Sequence, residues 1–164
     1  MKLSRTLALA AAAIVAIPAI AQAVPTSEYL MKAGASDLYE KRSSELVLQS
    51  TKNPEIRKFA NMMIADHTKS TGMVKDAAMH AGLHPSPPML SAKQTRMVAD
   101  LRAARGMQRD TLYVSQQKEA HQMALDLQRD YSLNGDKAPL KGAAAKIVPV
   151  VEQHISMLNA MPAM

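Results

Sequence analysis

The run Asn53-Pro54-Glu55-Ile56-Arg57-Lys58-Phe59-Ala60-Asn61-Met62-Met63-Ile64-Ala65-Asp66-His67 decides the fold class. Asn53 is a good helix cap, and Pro54 falls at the first helical position, where its missing N–H costs nothing. Ile56, Phe59, Ala60 and Met63, followed by Val74 and Ala77, recur at the 3.6-residue spacing of one helix face. The spacing predicts a helix from about Pro54 to Ala81, ended by Gly82. Asp66 and His67 follow Met63 by three and four residues, so ionisable groups fall on or beside the stripe that should face a core.

Working outward, Lys52-Asn53-Pro54 closes an earlier helix over about Thr26–Thr51. Thr26 or Ser27 can cap it, and its stripe includes Leu30, Ala33, Val47 and Leu48. On the other side, His84-Pro85-Ser86-Pro87-Pro88 is a stiff, extended connection. Ser91 caps a short helix over about Ala92–Ala104, and Gly106 interrupts it. A long helix over about Met107–Ser132 follows, then the turn Asn134-Gly135-Asp136. The last helix spans about Ala138–Asn159, with Pro149 expected to kink it. No segment alternates as a strand does. Two tight turns make two hairpins, and one long connection joins them. The expected fold is all-α: a ferritin-like four-helix bundle with a long crossover carrying a short extra helix.

The first 23 residues have the three parts of a secretory signal. Lys2 and Arg5 are the positive region, Leu7 to Ile20 the apolar region, and Ala21-Gln22-Ala23 a small-x-small cleavage site. A membrane anchor is the competing reading, but a span needs about 20 apolar residues and this run is shorter. With no Cys in the chain, a lipid anchor on cysteine is excluded. The expected product is one helical domain over 24–164, periplasmic and free of disulfides. Losing Lys2 and Arg5 takes two from the 20 basic residues and none from the 14 acidic ones, so the net charge falls from +6 to +4. Scattered charge of that size fits an envelope component as partner and argues against nucleic acid.

Each long helix carries an inward-looking ionisable group. Glu40 lies seven residues from both Ala33 and Val47, with Asp37 close to that stripe. His67 lies seven before Val74, His121 seven after Val114, and His154 seven after Ile147. Asp110 and Tyr113 sit near the His121 stripe. Counting from the turns at about 1.5 Å per residue, Glu40 and His67 are level, whereas His121 and His154 are offset by roughly 7 Å. That count puts His154 nearer Gln117 and Tyr113 than His121. Glu40, Asp66, His67, His121 and His154 are thus candidate ligands for a divalent metal ion, with iron, manganese, zinc or copper suited to carboxylate and imidazole. The alternative is a buried hydrogen-bond network that also takes in Asp110 and Tyr113.

A di-iron centre of ferritin type needs Glu-x-x-His on two helices, and the chain has none. Copper(I) is a further candidate, because Met157, Met161 and Met164 follow His154, and Met62 and Met63 precede Asp66. His80 and His84 are expected to be exposed. No nucleophile motif or phosphate loop occurs, which argues against an enzyme.

Several of these stretches resemble one bacterial family. They are Ala33 to Glu40, the Asn53-Pro54…Phe59-Ala60…Met63-x-x-Asp66-His67 run, Gly106 to Tyr113, Ala120-His121, and Leu140 through Pro149 to His154. Together they resemble the domain of unknown function 4142 family, often labelled predicted outer membrane proteins. The resemblance covers almost all of the chain after the signal. It implies an exported ferritin-like bundle whose matching polar positions are Glu40, Asp66, His67, Asp110, Tyr113, His121 and His154. Met107, Gln108 and Arg109 depart from the pattern, since the family tends to have an aromatic just before the Asp. The family name assigns no activity, and a chain without alternating strands is no outer-membrane barrel. The expected role is a non-enzymatic envelope-stress or interaction protein; the alternative is a metal-binding or metal-dependent redox protein.

Overall fold

A computed structural model describes residues 24–161. The expected signal segment 1–23 and Met164 lie outside the described residues. Those described form five helices and no strand: α1 (Thr26–Leu48), α2 (Pro54–His80), α3 (Ala92–Ala103), α4 (Gly106–Asn134) and α5 (Ala138–Ala160). The all-α bundle read from the sequence is the fold. Among the described residues, no helix is long and apolar enough to cross a membrane.

Side-chain caps mark the starts of α2 and α3. The Asn53 side chain accepts from the backbone N–H groups of Glu55 and Ile56, and Pro54 opens α2. Ser91 and Gln94 form a reciprocal capping box at α3. At α1 neither expected residue caps: Pro25 holds the cap position and no side chain bonds there. Thr26 instead bonds the Tyr131 hydroxyl at 2.6 Å and the Asp136 carboxylate, tying the start of α1 to the α4–α5 turn. Helix α1 also ends at Leu48, three residues earlier than expected, where the Arg109 guanidinium takes the Leu46 carbonyl and the Arg57 guanidinium the Leu48 carbonyl. Arg109 donates to the carbonyls of Leu46, Ala104 and Arg102 and to the Ser50 hydroxyl, a buried cation set against the ends of both α1 and α3. Helix α5 continues through Pro149, which is exposed.

Helices α1 and α2 form one hairpin, and α4 and α5 the other. Helix α1 packs on α4, and α2 on α5. Side-chain bonds from α1 to α4 descend one helix as they climb the other: Tyr29 to Gln128, Tyr39 to Gln116, Ser44 to Tyr113, Thr51 to Asp110. These two helices are therefore antiparallel, and the 81–105 connection must travel the length of the bundle. Its prolines lie close on α1, where a Cβ at Gly34 would come within 3.0 Å of the Pro88 Cβ. Helix α3 then packs across α1 and α4, burying Met97, Val98 and Leu101.

The interior is stacked in layers. One apolar layer holds Tyr29, Ala33, Val74, Ala78, Leu125, Tyr131, Leu140 and Ile147. The other holds Val47, Ile56, Phe59, Met63, Leu101, Tyr113 and Leu158. Between them, every long helix contributes polar side chains: Asp37 and Glu40, His67, Gln117 and His121, and His154, all buried.

Candidate metal centre

Three imidazoles meet at the centre of the polar layer. The rings of His67, His121 and His154 form a nearly equilateral triangle, with centroids 5.6, 5.7 and 5.3 Å apart. One nitrogen from each lies within 4.8 Å of the other two. Phe59 floors the group, its ring 6.1 Å from that of His121 and 6.3 Å from that of His154.

The outward nitrogens are all engaged. His67 Nδ1 is 2.8 Å from the Asp37 carboxylate, whose other oxygen accepts from Thr71. His121 Nδ1 is 2.9 Å from the Gln117 carbonyl oxygen, and His154 Nε2 is 3.0 Å from the Asp66 carboxylate. A carbonyl oxygen can only accept, so His121 must carry its proton on Nδ1. Ionised carboxylates impose the same on His67 Nδ1 and His154 Nε2. In neutral rings the inward nitrogens, His67 Nε2, His121 Nε2 and His154 Nδ1, are therefore bare lone pairs. Two of these, on His121 and His154, stand 3.3 Å apart, and His67 Nε2 has no hydrogen-bond partner. Three such donors could hold one metal ion.

Burial and neighbours set the protonation. Burial pushes the His121 imidazole down to about 3, reinforced by His67 and His154. Burial also lowers His154, against the pull of Asp66. For His67, burial acts downward but is outweighed by the Asp37 hydrogen bond and the Glu40 charge, so its affinity for a proton is raised. Glu40 is pushed up to about 7 by complete burial, with the His67 charge opposing the rise. Neither Glu40 oxygen has a hydrogen-bond partner, and the nearer stands 3.7 Å from His121 Nδ1.

Of the five candidate ligands, the structure brings three imidazoles to a point. Asp66 stands behind His154, and Glu40 lies beside His121 outside the convergence. The expected offset between His121 and His154 is not there. Helix α4 runs on to Asn134 and α5 starts at Ala138, so the residue counts from the helix ends differ by only about 4.5 Å. Side chains also lean toward the N-terminus of their own helix. His121 therefore leans away from the turn and His154 toward it, which closes the remaining gap. His154 accordingly meets His121, and not Tyr113, whose hydroxyl bonds Ser44 at 2.8 Å. Asp110 likewise takes the Thr51 hydroxyl, so these two expected network members tie α4 to α1 and to the turn after it, and neither hydrogen-bonds an imidazole.

Only its place beside the α1 stripe hinted at Asp37 as the partner of His67, and no residue pattern pointed to the Gln117 carbonyl or to Phe59 as the floor. Met63 is fully buried, while Met62, Met157 and Met161 pack against the lower apolar layer. His80 and His84 are exposed, as expected.

A solved structure described as "CopM in the Cu(II)-bound form" has a similar fold, with a TM-score of 0.69 over 84% of this chain and 95% of that one, at 16% sequence identity. No curated protein matches the chain. Residues 11–161 match the family described as Domain of unknown function (DUF4142). Since that match spans nearly the whole sequence, the stretches that carry the likeness are not a local coincidence: the chain belongs to the DUF4142 family.

Proposed function

We propose that this protein is an exported metal-binding bundle that holds one divalent transition-metal ion on His67 Nε2, His121 Nε2 and His154 Nδ1. The observation that carries the reading is the polarity of the three rings. Each commits its outer nitrogen to an acceptor and turns a bare nitrogen inward. Outer acceptors that fix tautomer and ring orientation in this way are the usual support of metal-bound histidine. Three donors at about 2.0–2.1 Å from one ion stand roughly 3.5 Å apart, and the present spacing reaches that with sub-ångström movements.

Copper(II) is the ion of first choice. It heads the affinity order for nitrogen sites, and a protein of this fold is described in its Cu(II)-bound form. Glu40 supplies the counter-charge: a fully buried carboxylate without a hydrogen-bond partner is stabilised by a nearby cation. The layer is closed above and below by apolar side chains and shares no residue with the two main surface clefts among the described residues, one against α3 and α4 and one against the crossover. Holding or carrying an ion suits such a site better than turnover. The signal-like first 23 residues support a periplasmic location.

The deciding measurement is elemental analysis of untagged protein purified from the envelope. Near-stoichiometric copper in the wild type and its loss in His121→Ala is the expected outcome; for Cu(II), electron paramagnetic resonance shows coupling to several nitrogens. A second reading has its own support. The Asp37–His67 and Asp66–His154 pairs would also fix helix register as a metal-free network. Metal-free protein that gains no thermal stability from added copper, zinc, iron or manganese would establish that reading in place of the first.

A further inference from the structure

The layer is sealed unequally. The side chains of His67, His121 and His154 are 6%, 0% and 2% exposed, and the Asp37 side chain 8%. Asp66 differs: its side chain is 36% exposed, yet its carboxylate is 3.0 Å from His154 Nε2. His154 in turn places Nδ1 3.3 Å from His121 Nε2. One imidazole thus spans the wall of the bundle, with a nitrogen at the centre and a nitrogen on a solvent-facing carboxylate. Of the three outer acceptors, only this one has substantial solvent exposure; the Gln117 carbonyl belongs to a fully buried residue.

Two methionines border the pair. Met62 lies one turn before Asp66 on α2, and Met157 one turn after His154 on α5, both half-buried. Both also pack against the second apolar layer, so the donor open to solvent at this end of the path is the Asp66 carboxylate.

We infer that the Asp66–His154 pair is the gate through which the metal ion reaches the three-imidazole site. This rests on the function proposed above. The cation is first collected by the exposed Asp66 carboxylate. Its arrival breaks the bond from His154 Nε2, and the freed ring turns to pass the ion to the inward nitrogens of His67 and His121. No covalent bond changes in this sequence: His154 keeps its Nε2 proton and donates it again to the Asp66 carboxylate as a hydrogen bond once the ion has passed to the inward nitrogens. Asp66 is a positioning residue for transfer and is absent from the final coordination.

The test is stopped-flow uptake of Cu(II), supplied as a weak glycine complex, by metal-free full-length protein, with release measured separately into excess chelator. Asp66→Asn keeps the shape and the hydrogen bond to His154 while removing the charge. It is expected to lower the association rate about tenfold, the scale of electrostatic steering at a charged mouth. Asp66→Glu should restore most of that rate. The wild-type rate should fall with ionic strength, and that of Asp66→Asn should not. An unchanged association rate with faster release would overturn the gate, since Asp66 would then only orient His154. Wild-type protein that takes up no Cu(II) at equilibrium would overturn the metal site itself, an outcome distinct from a change in rate alone.

Discussion

The apolar layers and the polar layer between them are built from the same four helices, yet they hold the bundle together in opposite ways. In the apolar layers each side chain contributes by leaving water, and truncation leaves a cavity. In the polar layer the ionisable groups lose hydration on burial, and Glu40 regains no hydrogen bond at all. The difference teaches that the polar layer is a standing cost to the metal-free fold, borne by its apolar neighbours, which the cation proposed above would offset.

The largest expected effect breaks the apolar side. Phe59→Ala should cost about 3–5 kcal/mol in urea unfolding, in metal-free protein as in loaded protein. Next, Cu(II) at a free concentration 100 times its Kd should raise unfolding stability by about 2.7 kcal/mol, an increment that His121→Ala abolishes. Third, Glu40→Met should raise the stability of metal-free protein by about 1–3 kcal/mol, the cost of keeping a buried polar group without a hydrogen bond. A loss as large as that of Phe59→Ala would erase the distinction between the layers and support the structural network.

The smallest effect is a pH dependence with opposed arms. His121, held at about 3 against an ordinary 6.5, binds fewer protons folded than unfolded between those values, so stability is lost as pH falls through them. Glu40, at about 7 against 4.5, binds more protons folded, so its penalty is relieved as pH falls from 7 to 4.5. Stabilisation through charged His67 is complete below 6.5 and fades as pH rises through its raised value. His154, also lowered by burial, adds a loss in the same window, so thermal melts of metal-free protein should decline only modestly from pH 6.5 to 4.5 and fall more steeply below. Glu40→Met should remove the compensating arm and make the steep acid loss begin near 6.5.

Periodicity made the helices legible, because caps and breakers such as Asn53-Pro54, Gly82 and Ser91 act locally. It also put His67, His121 and His154 on inward faces. Depth along the bundle was harder to read, since it depends on the lean of side chains and on where α4 and α5 end at their turn. The partners of the imidazoles lay further out of reach. Asp66 and His67 are adjacent but point about 100° apart, so one serves His154 on α5 while the other takes Asp37 on α1. A backbone carbonyl such as that of Gln117 leaves no mark in a sequence.

The chain has four tyrosines and no tryptophan, and all four tyrosines are fully buried. Tyr29 stacks on Tyr131 at one end of the bundle, with centroids 3.8 Å apart. Tyr113 meets Phe59 edge-on at 6.4 Å, and that ring touches His121 and His154. Ultraviolet emission and near-ultraviolet dichroism therefore come from the interior alone, with no surface background. A paramagnetic ion at the imidazoles would quench Tyr113 more than the stacked pair at the far end, which serves as an internal reference, so the protein could report its own occupancy without a dye or a label.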